Sequence, residues 1–268
     1  MTTVAVLGAG RIGKAVLAGL KRAGWPTSEL IATARRPERA AAVEAELGVQ
    51  VLSNPEAVTK ADITIVAVKP QDADALMSEL APHVGQGSLI VTLCAGLPTT
   101  FFEKRLPDGT PVVRAMTNTP ALVEAAVTVI SAGEQATAEH LSQAEELFRP
   151  LGHTVQLDET HIDAVTALSG SGPAYFYYLV EGMIDAAILM GLPRSVASDL
   201  IVHTAAGAAA MLKDTGEHPV QLREAVTSPA GTTINAVREL ERHRVRAAIL
   251  DAAEAARDRA RDIAGEHG

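Results

Sequence analysis

From Thr3 to about residue 158, the hydrophobic positions fall in short β-rich runs separated by segments of helix length. The runs are TVAVLG from Thr3, LIATA from Leu30, VQVL from Val49, DITIVAV from Asp62, SLIVTL from Ser88, PVVRAM from Pro111, AVTVIS from Ala126 and HTVQL from His153. Strands alternating with helices predict βαβ units and a mainly parallel sheet. DITIVAV is apolar almost throughout, as expected of a strand covered on both faces. Residues 1–158 are therefore expected to form an α/β, doubly wound domain of the Rossmann type.

Beyond Asp158 the strand runs stop and helical periodicity takes over. It is punctuated at Gly170–Pro173, Gly191–Pro193, Gly216–Pro219 and Ser228–Gly231, several of which place glycine near one helix end and proline near the next helix start. Residues 159–268 are expected to be all-helical, with one helix over Tyr175–Met190. The stretches around Leu200–Leu212 and Val245–Ala256 are rich in Ala. They fit close helix packing within one subunit or helices of two chains interleaved. A helical domain this small has difficulty burying so much apolar surface alone, so a homodimer is expected. The apolar stretch Leu179–Leu192 is interrupted by Glu181 and Asp185, too early for a membrane span.

The chain has 268 residues, 47% of them hydrophobic, and a formal net charge of -9. This is the profile of a soluble globular protein, and no basic stripe is present to neutralise nucleic-acid phosphates. Small molecules are the expected ligands. Cys94 is the single cysteine, which excludes an internal disulfide and a cysteine-rich metal site. No His or carboxylate pair has metal-ligand spacing, so no metal is expected. Thr2–Leu7 already reads as a strand rather than a signal peptide, and a cytoplasmic location is expected.

The first strand runs straight into Leu7-Gly8-Ala9-Gly10-Arg11-Ile12-Gly13, followed by a helix with Ile12, Val16, Leu20 and Ala23 on roughly one face. A GxGxxG spacing alone is a weak signal, but between strand and helix it is the dinucleotide-binding turn. The first glycine permits the tight turn, the second lets the backbone approach a pyrophosphate, and the third allows close helix–strand packing. The helix start then presents unpaired N–H groups and a positive dipole end.

The end of the second strand selects the cofactor. An NAD site places an acid there, whereas this chain has Thr33-Ala34-Arg35-Arg36. Guanidinium groups bind a 2′-phosphate that an acid would repel, so NADPH is expected, with NADH as a possible substitute. The plainer alternative is two solvated arginines before a helix starting at Pro37. Ala67-Val68-Lys69-Pro70 and Cys94-Ala95-Gly96 end the fourth and fifth strands, where ligands bind in parallel sheets. Cys94 reads as a small packing residue rather than a nucleophile, since no paired His is identifiable.

Two loops in the helical half look chemically specialised: Ser169-Gly170-Ser171-Gly172-Pro173-Ala174-Tyr175 and Thr227-Ser228-Pro229-Ala230-Gly231-Thr232-Thr233. Hydroxyls and free N–H groups at a helix start make an anion site, though both loops also read simply as helix caps. With these residues in place, the chain resembles the pyrroline-5-carboxylate reductases over essentially its whole length. The markers are GAGRIG at 8–13, AVKPQ at 67–71, RAMTNTP at 114–120, ALSGSGPAY at 167–175 and, most specific, VTSPAGTT at 226–233. Two positions depart from the family spelling: Ala230 replaces a customary glycine, and Thr117 a customary proline.

The resemblance implies a 6-phosphogluconate-dehydrogenase-like architecture, with the helical domain serving dimerisation. It implies that Asn54, Ala67, Lys69, Pro70 and Ala95 contact the cofactor together with the glycine turn. By the same carry-over, Met116, Asn118, Pro173, Val226, Ser228, Gly231, Thr232 and Thr233 line the substrate pocket. The Thr227–Thr233 loop would come from the neighbouring subunit, and dimers would assemble into decamers. The implied reaction is hydride transfer from NADPH to the C=N carbon of 1-pyrroline-5-carboxylate, giving L-proline. The loop would bind the substrate carboxylate through Gly231 and Thr232 N–H groups, and Thr233 would serve as the catalytic hydroxyl at the ring nitrogen. A hydroxyacid dehydrogenase of similar architecture is the enzymatic alternative. It needs a general base, typically a lysine of the helical domain, and Lys213 is the only lysine after Lys104. A non-catalytic NADP sensor is the alternative from another class.

Overall fold

The computed structural model describes residues 2–267. All eight hydrophobic runs form strands: β1 (Val4–Leu7), β2 (Leu30–Thr33), β3 (Gln50–Leu52), β4 (Ile63–Val66), β5 (Leu89–Thr92), β6 (Val112–Met116), β7 (Ala126–Ala132) and β8 (Gly152–Gln156). They make one sheet in the order β3-β2-β1-β4-β5-β6-β7-β8. Every neighbouring pair is parallel except β6 and β7. The exception follows from the connection, residues 117–125, which is too short for a parallel crossover of about a dozen residues or more.

Helices α1 (Arg11–Arg22), α2 (Pro37–Leu47), α3 (Asn54–Lys60), α4 (Pro70–Leu80), α5 (Thr99–Glu103) and α6 (Ala138–Phe148) connect the strands. Alternation along the strands builds a core on each face of the sheet. Val4 and Val6 join Val16, Leu17, Leu20, Leu147 and Phe148 on one side. Ala5 and Leu7 join Val58, Met77, Leu80 and Phe102 on the other. The order of strands reverses between β1 and β4, and the crevice at their carboxyl ends is where such sheets bind ligands.

After β8, the short α7 (Ile162–Val165) runs into a π-helical turn, Thr166–Gly170, closed by Ser171 N–H donating to Thr166 O at 2.8 Å. Five longer elements follow: α8 (Gly172–Leu189), α9 (Arg194–Thr215), α10 (Pro219–Ala225), α11 (Thr232–Arg242) and α12 (Val245–His267). The helix expected over Tyr175–Met190 starts earlier, at Gly172. Pro173 sits in its first turn, where a missing N–H costs nothing.

By packing, the described residues divide into two compact units, 2–171 with 255–267, and Gly172–Glu254. This division lies beyond the 158/159 boundary expected from the end of strand patterning. Residues 159–171 pack with the sheet unit: Ile162 clusters with Met116 and Val129, and Glu159 pairs with Arg114. The tail of α12 belongs to the same unit, with Ala260 buried and Arg261 Nε 3.7 Å from Asp163 Oδ2.

The helical unit has almost no interior of its own. Among its described residues only Gly172, Ala187 and Ala197 are buried. Tyr178, Leu189 and Met190 stand 77%, 89% and 78% exposed. Among the described residues one helix, α9, is long and apolar enough to cross a membrane by length and composition. This is not the Leu179–Leu192 stretch that stood out in the sequence; the alanines of α9 raise its average instead.

Candidate functional site

The glycine turn takes its shape from contacts around β1. Gly8 has φ +94°, and a Cβ there would lie 2.9 Å from Ala67 O, so both the dihedral and the neighbouring strand end require glycine. Ala9 N–H donates to Thr33 O at 3.1 Å and Gly8 N–H to Thr33 Oγ1 at 3.4 Å, tying the turn to β2. A Cβ on Gly13 would collide with Gly8 O, so this glycine lets α1 approach the strand. At Gly10, by contrast, a Cβ would meet nothing within 4 Å. Gly10 is the N-cap of α1 and contributes no side-chain cap. The first amides of α1 therefore lack protein acceptors and face open space, which suits a pyrophosphate.

A cavity of about 820 Å³ opens beside this turn. Of the expected cofactor residues, Gly8, Ala9, Gly10, Arg35, Arg36, Asn54, Ala67, Val68 and Lys69 line it. Leu7, Arg11, Ile12, Gly13, Pro70 and Ala95 do not. Leu7 is fully buried at the end of β1, Arg11 is exposed at the first position of α1, and Ile12 packs against the core. Pro70 opens α4 directly after Lys69. Ala95 lies in a separate cluster with Met116, Val129 and Ile162, so the structure brings an expected cofactor residue beside an expected substrate residue.

Several cavity residues escaped the sequence reading. Arg39 Nε donates to Ala9 O at 3.0 Å, bracing the glycine turn from α2. Its signal was its place three residues after Arg36 in the first turn of a helix. Asp72, Ala75, Leu76 and Glu79 also line the cavity. Their i, i+3, i+4, i+7 spacing marks one face of α4, but nothing in the sequence showed that this face looks onto the cofactor side.

Met116 is buried at the end of β6, 3.7 Å from where a Cβ on Gly170 would lie. Asn118 is buried as well: its Oδ1 accepts from Val127 N–H at 3.1 Å and its Nδ2 donates to Ser169 O at 3.0 Å. Asn118 thus braces the Ser169–Gly170 turn in this structure. Arg114 Nη1 donates to Glu159 Oε1 at 3.1 Å, and Glu159 also accepts from Thr99 N–H at 2.8 Å and Thr99 Oγ1 at 2.7 Å. These bonds fix the start of the segment leading out of the sheet unit.

Pro173, Val226, Ser228, Gly231, Thr232 and Thr233 belong to the helical unit. Thr232 and Thr233 are the first two residues of α11, capped by Gly231 without a side-chain bond. Gly231 N–H donates to Ser228 O at 3.1 Å within the loop. The amides without an intrahelical acceptor are those of Thr232, Thr233 and Ile234. Ala230 adopts φ 56°, the left-handed conformation that explains why glycine is the customary residue there. Cys94 is 2% exposed, and burial pushes its thiol up to about 11. A thiol held protonated in the core is inert, in line with a packing role.

Comparisons with known proteins agree with these features. Residues 159–263 match the family model described as pyrroline-5-carboxylate reductase dimerisation. Residues 3–96 match one described as NADP oxidoreductase, coenzyme F420-dependent. The chain is 41% identical to a pyrroline-5-carboxylate reductase of Mycobacterium tuberculosis, covering 98% of this chain and 97% of the relative. It is 39% identical to that of Pseudomonas aeruginosa, covering 99% and 98%. Among solved structures, the pyrroline-5-carboxylate reductase from Coxiella burnetii superimposes with a TM-score of 0.91 at 32% identity, covering 98% of each chain. The Plasmodium falciparum pyrroline carboxylate reductase with NADP bound gives 0.90 at 25% identity, again over 98% of each chain.

Proposed function

The chain belongs to the pyrroline-5-carboxylate reductase family, and from that premise we propose how its own residues divide the work of the reaction. It is an NAD(P)H-dependent oxidoreductase that reduces the C=N bond of 1-pyrroline-5-carboxylate to give L-proline. The observation that carries the assignment of roles is the presence, in one chain, of the glycine-turn cavity and of the uncapped α11 start.

The cavity fits a dinucleotide phosphate. The unpaired amides of Arg11, Ile12 and Gly13 at the start of α1 would hold the pyrophosphate, while Arg35, Arg36 and Arg39 supply positive charge for a 2′-phosphate. Asn54, Ala67, Val68 and Lys69 border the same space, with Ala95 beside Met116. When bound, the reduced nicotinamide supplies the hydride. The protein's task is then to orient a cyclic imine and neutralise its carboxylate. The Thr232 and Thr233 amides at the positive end of α11 are suited to the carboxylate. Met116, Asn118 and Pro173 would shape the pocket, with Val226, Ser228 and Gly231 holding the loop.

Thr233 is assigned as the catalytic hydroxyl that hydrogen-bonds the ring nitrogen and relays its proton. Among the described residues that hydroxyl engages no other group, which leaves it available. Oxidation of NADPH on addition of 1-pyrroline-5-carboxylate tests the activity; a lack of turnover with both NADPH and NADH would refute it. Thr233→Ala is expected to lower kcat/KM by about a hundredfold with NADPH affinity unchanged; unaltered turnover would remove Thr233 from the mechanism.

The dimerisation match and the exposed apolar helices together make α8–α12 an oligomerisation surface. A second chain covering α9 accounts for its apolar exposure without a membrane. The finer reading is that the Thr227–Thr233 loop serves the neighbouring subunit's cofactor and that dimers join into decamers. Light scattering gives the assembly size, and mixing Thr233→Ala with Gly13→Ala chains tests sharing by recovery of activity in mixed dimers. We place the enzyme in the cytoplasm, supported by its single, buried cysteine.

A further inference from the structure

The α4 face toward the cofactor cavity is acidic at both ends. Asp72 and Glu79 stand two turns apart with Ala75 and Leu76 between them, and all four line the cavity. Each carboxylate engages a polar residue from the opposite wall. Arg35, just past β2, forms an ion pair with Asp72. Asn54 Nδ2 donates to Glu79 Oε2 at 3.0 Å. The Asp72 side chain is 31% exposed and that of Arg35 75%. The carboxylate is thus the short, anchored partner and the guanidinium the one free to swing.

Resting on the reading that Arg35 meets the 2′-phosphate, we propose that Asp72 is a specificity-determining residue, competing with that phosphate for the Arg35 guanidinium. Carboxylate and phosphate both take a guanidinium through paired N–H donors, so Arg35 can serve only one of them fully. Binding of NADPH exchanges the Asp72 pair for the phosphate pair and adds the repulsion of a nearby anion. NADH carries no 2′-phosphate and leaves the Arg35–Asp72 pair intact. Asp72 therefore narrows the preference for NADPH that Arg35, Arg36 and Arg39 create, keeping NADH within reach as a second reductant.

The test compares KM for NADPH and NADH in the wild type, Asp72→Asn, Asp72→Ser, Arg35→Ala and the Asp72→Asn/Arg35→Ala double variant, with 1-pyrroline-5-carboxylate as acceptor. Asp72→Asn is expected to lower KM for NADPH by about threefold to fivefold, the range of a partly exposed ion pair. KM for NADH should stay within about twofold, which also reports an intact cavity. Asp72→Ser should shift the ratio in the same direction, separating lost charge from any property of asparagine. In the Arg35→Ala background the Asp72→Asn effect should shrink, as expected of two residues acting through one contact. An Asp72→Asn ratio that is unchanged or reduced, while Arg35→Ala still weakens NADPH, overturns the role of Asp72 alone. An NADPH preference untouched by Arg35→Ala overturns the arginine reading on which it rests.

Discussion

The sheet unit buries Phe102, Phe148, Leu17 and Leu20 completely, whereas in residues 172–254 Phe176, Tyr177, Tyr178, Leu189 and Met190 stand largely in the open. One unit satisfies its apolar side chains by itself, because strands covered on both faces leave each side chain opposite a helix. In the other, α8 packs against α9 and buries Ala187 and Ala197, but most of the apolar side chains stay uncovered within the unit. The match of residues 159–263 to a dimerisation family accords with the contrast: the exposed helices lie in a segment that serves oligomerisation. Exposure in a single chain is here a record of assembly.

A charge on α9 gives the largest expected effect and the sharpest way to break the contrast. Leu200 is 50% exposed in the chain, and on a free surface Leu200→Glu would change stability by no more than about 0.5 kcal/mol. In an interchain core, a buried unpaired carboxylate costs about 3–5 kcal/mol. That is enough to weaken association by roughly a hundredfold or more. Sedimentation should show monomers, with activity lost alongside. Phe102→Ala should do the opposite: about 3–5 kcal/mol lost in urea unfolding from a cavity in the sheet unit, with the dimer retained under native conditions.

Next in size is the alkaline response of the sheet core. The Cys94 thiol is raised from 9.0 to about 11 by burial, so the folded state favours its protonated form. That contribution is complete below pH 9 and is lost as pH rises through 11, amounting to about 2–3 kcal/mol. Denaturation of the wild type and Cys94→Ala at pH 8 and pH 11 should show the wild type losing that much more. An equal loss in both would mean the thiol is not sealed in the core. The smallest effect is at Ala230, whose φ of 56° disfavours a side chain. Ala230→Gly should stabilise by about 0.5 kcal/mol after allowing for the added freedom of the unfolded chain. A loss of stability would show that this loop is held otherwise.

Legibility differed between the two units for the same reason. The inner strands could be read because a covered strand must be apolar over several consecutive residues, while the partly exposed edge strands β3 and β8 showed only short β-rich runs. The glycine turn could be read because a tight turn and a close helix approach each demand a missing side chain at a fixed spacing. Arg39, Asp72 and Glu79 could not, since a charged residue on a helix reads as a solvated face until the opposite wall is known. Asn118 reads as a polar pocket residue, and only the positions of Val127 and Ser169 turn it into a brace. The loop at 226–233 is recognisable, but the commitment of Gly231 N–H to Ser228 O depends on how the chain folds back before α11.

By itself, the sequence determined the strand pattern, the uncapped glycine turn, the basic end of β2 and the helical character of the second half. These rest on local periodicity and on residue types a few positions apart. The tertiary structure decided which charges face the cofactor cavity and where the packing division falls. It also showed that the helical unit leaves its apolar faces uncovered. Each of those depends on groups far apart in sequence meeting, or failing to meet, across space.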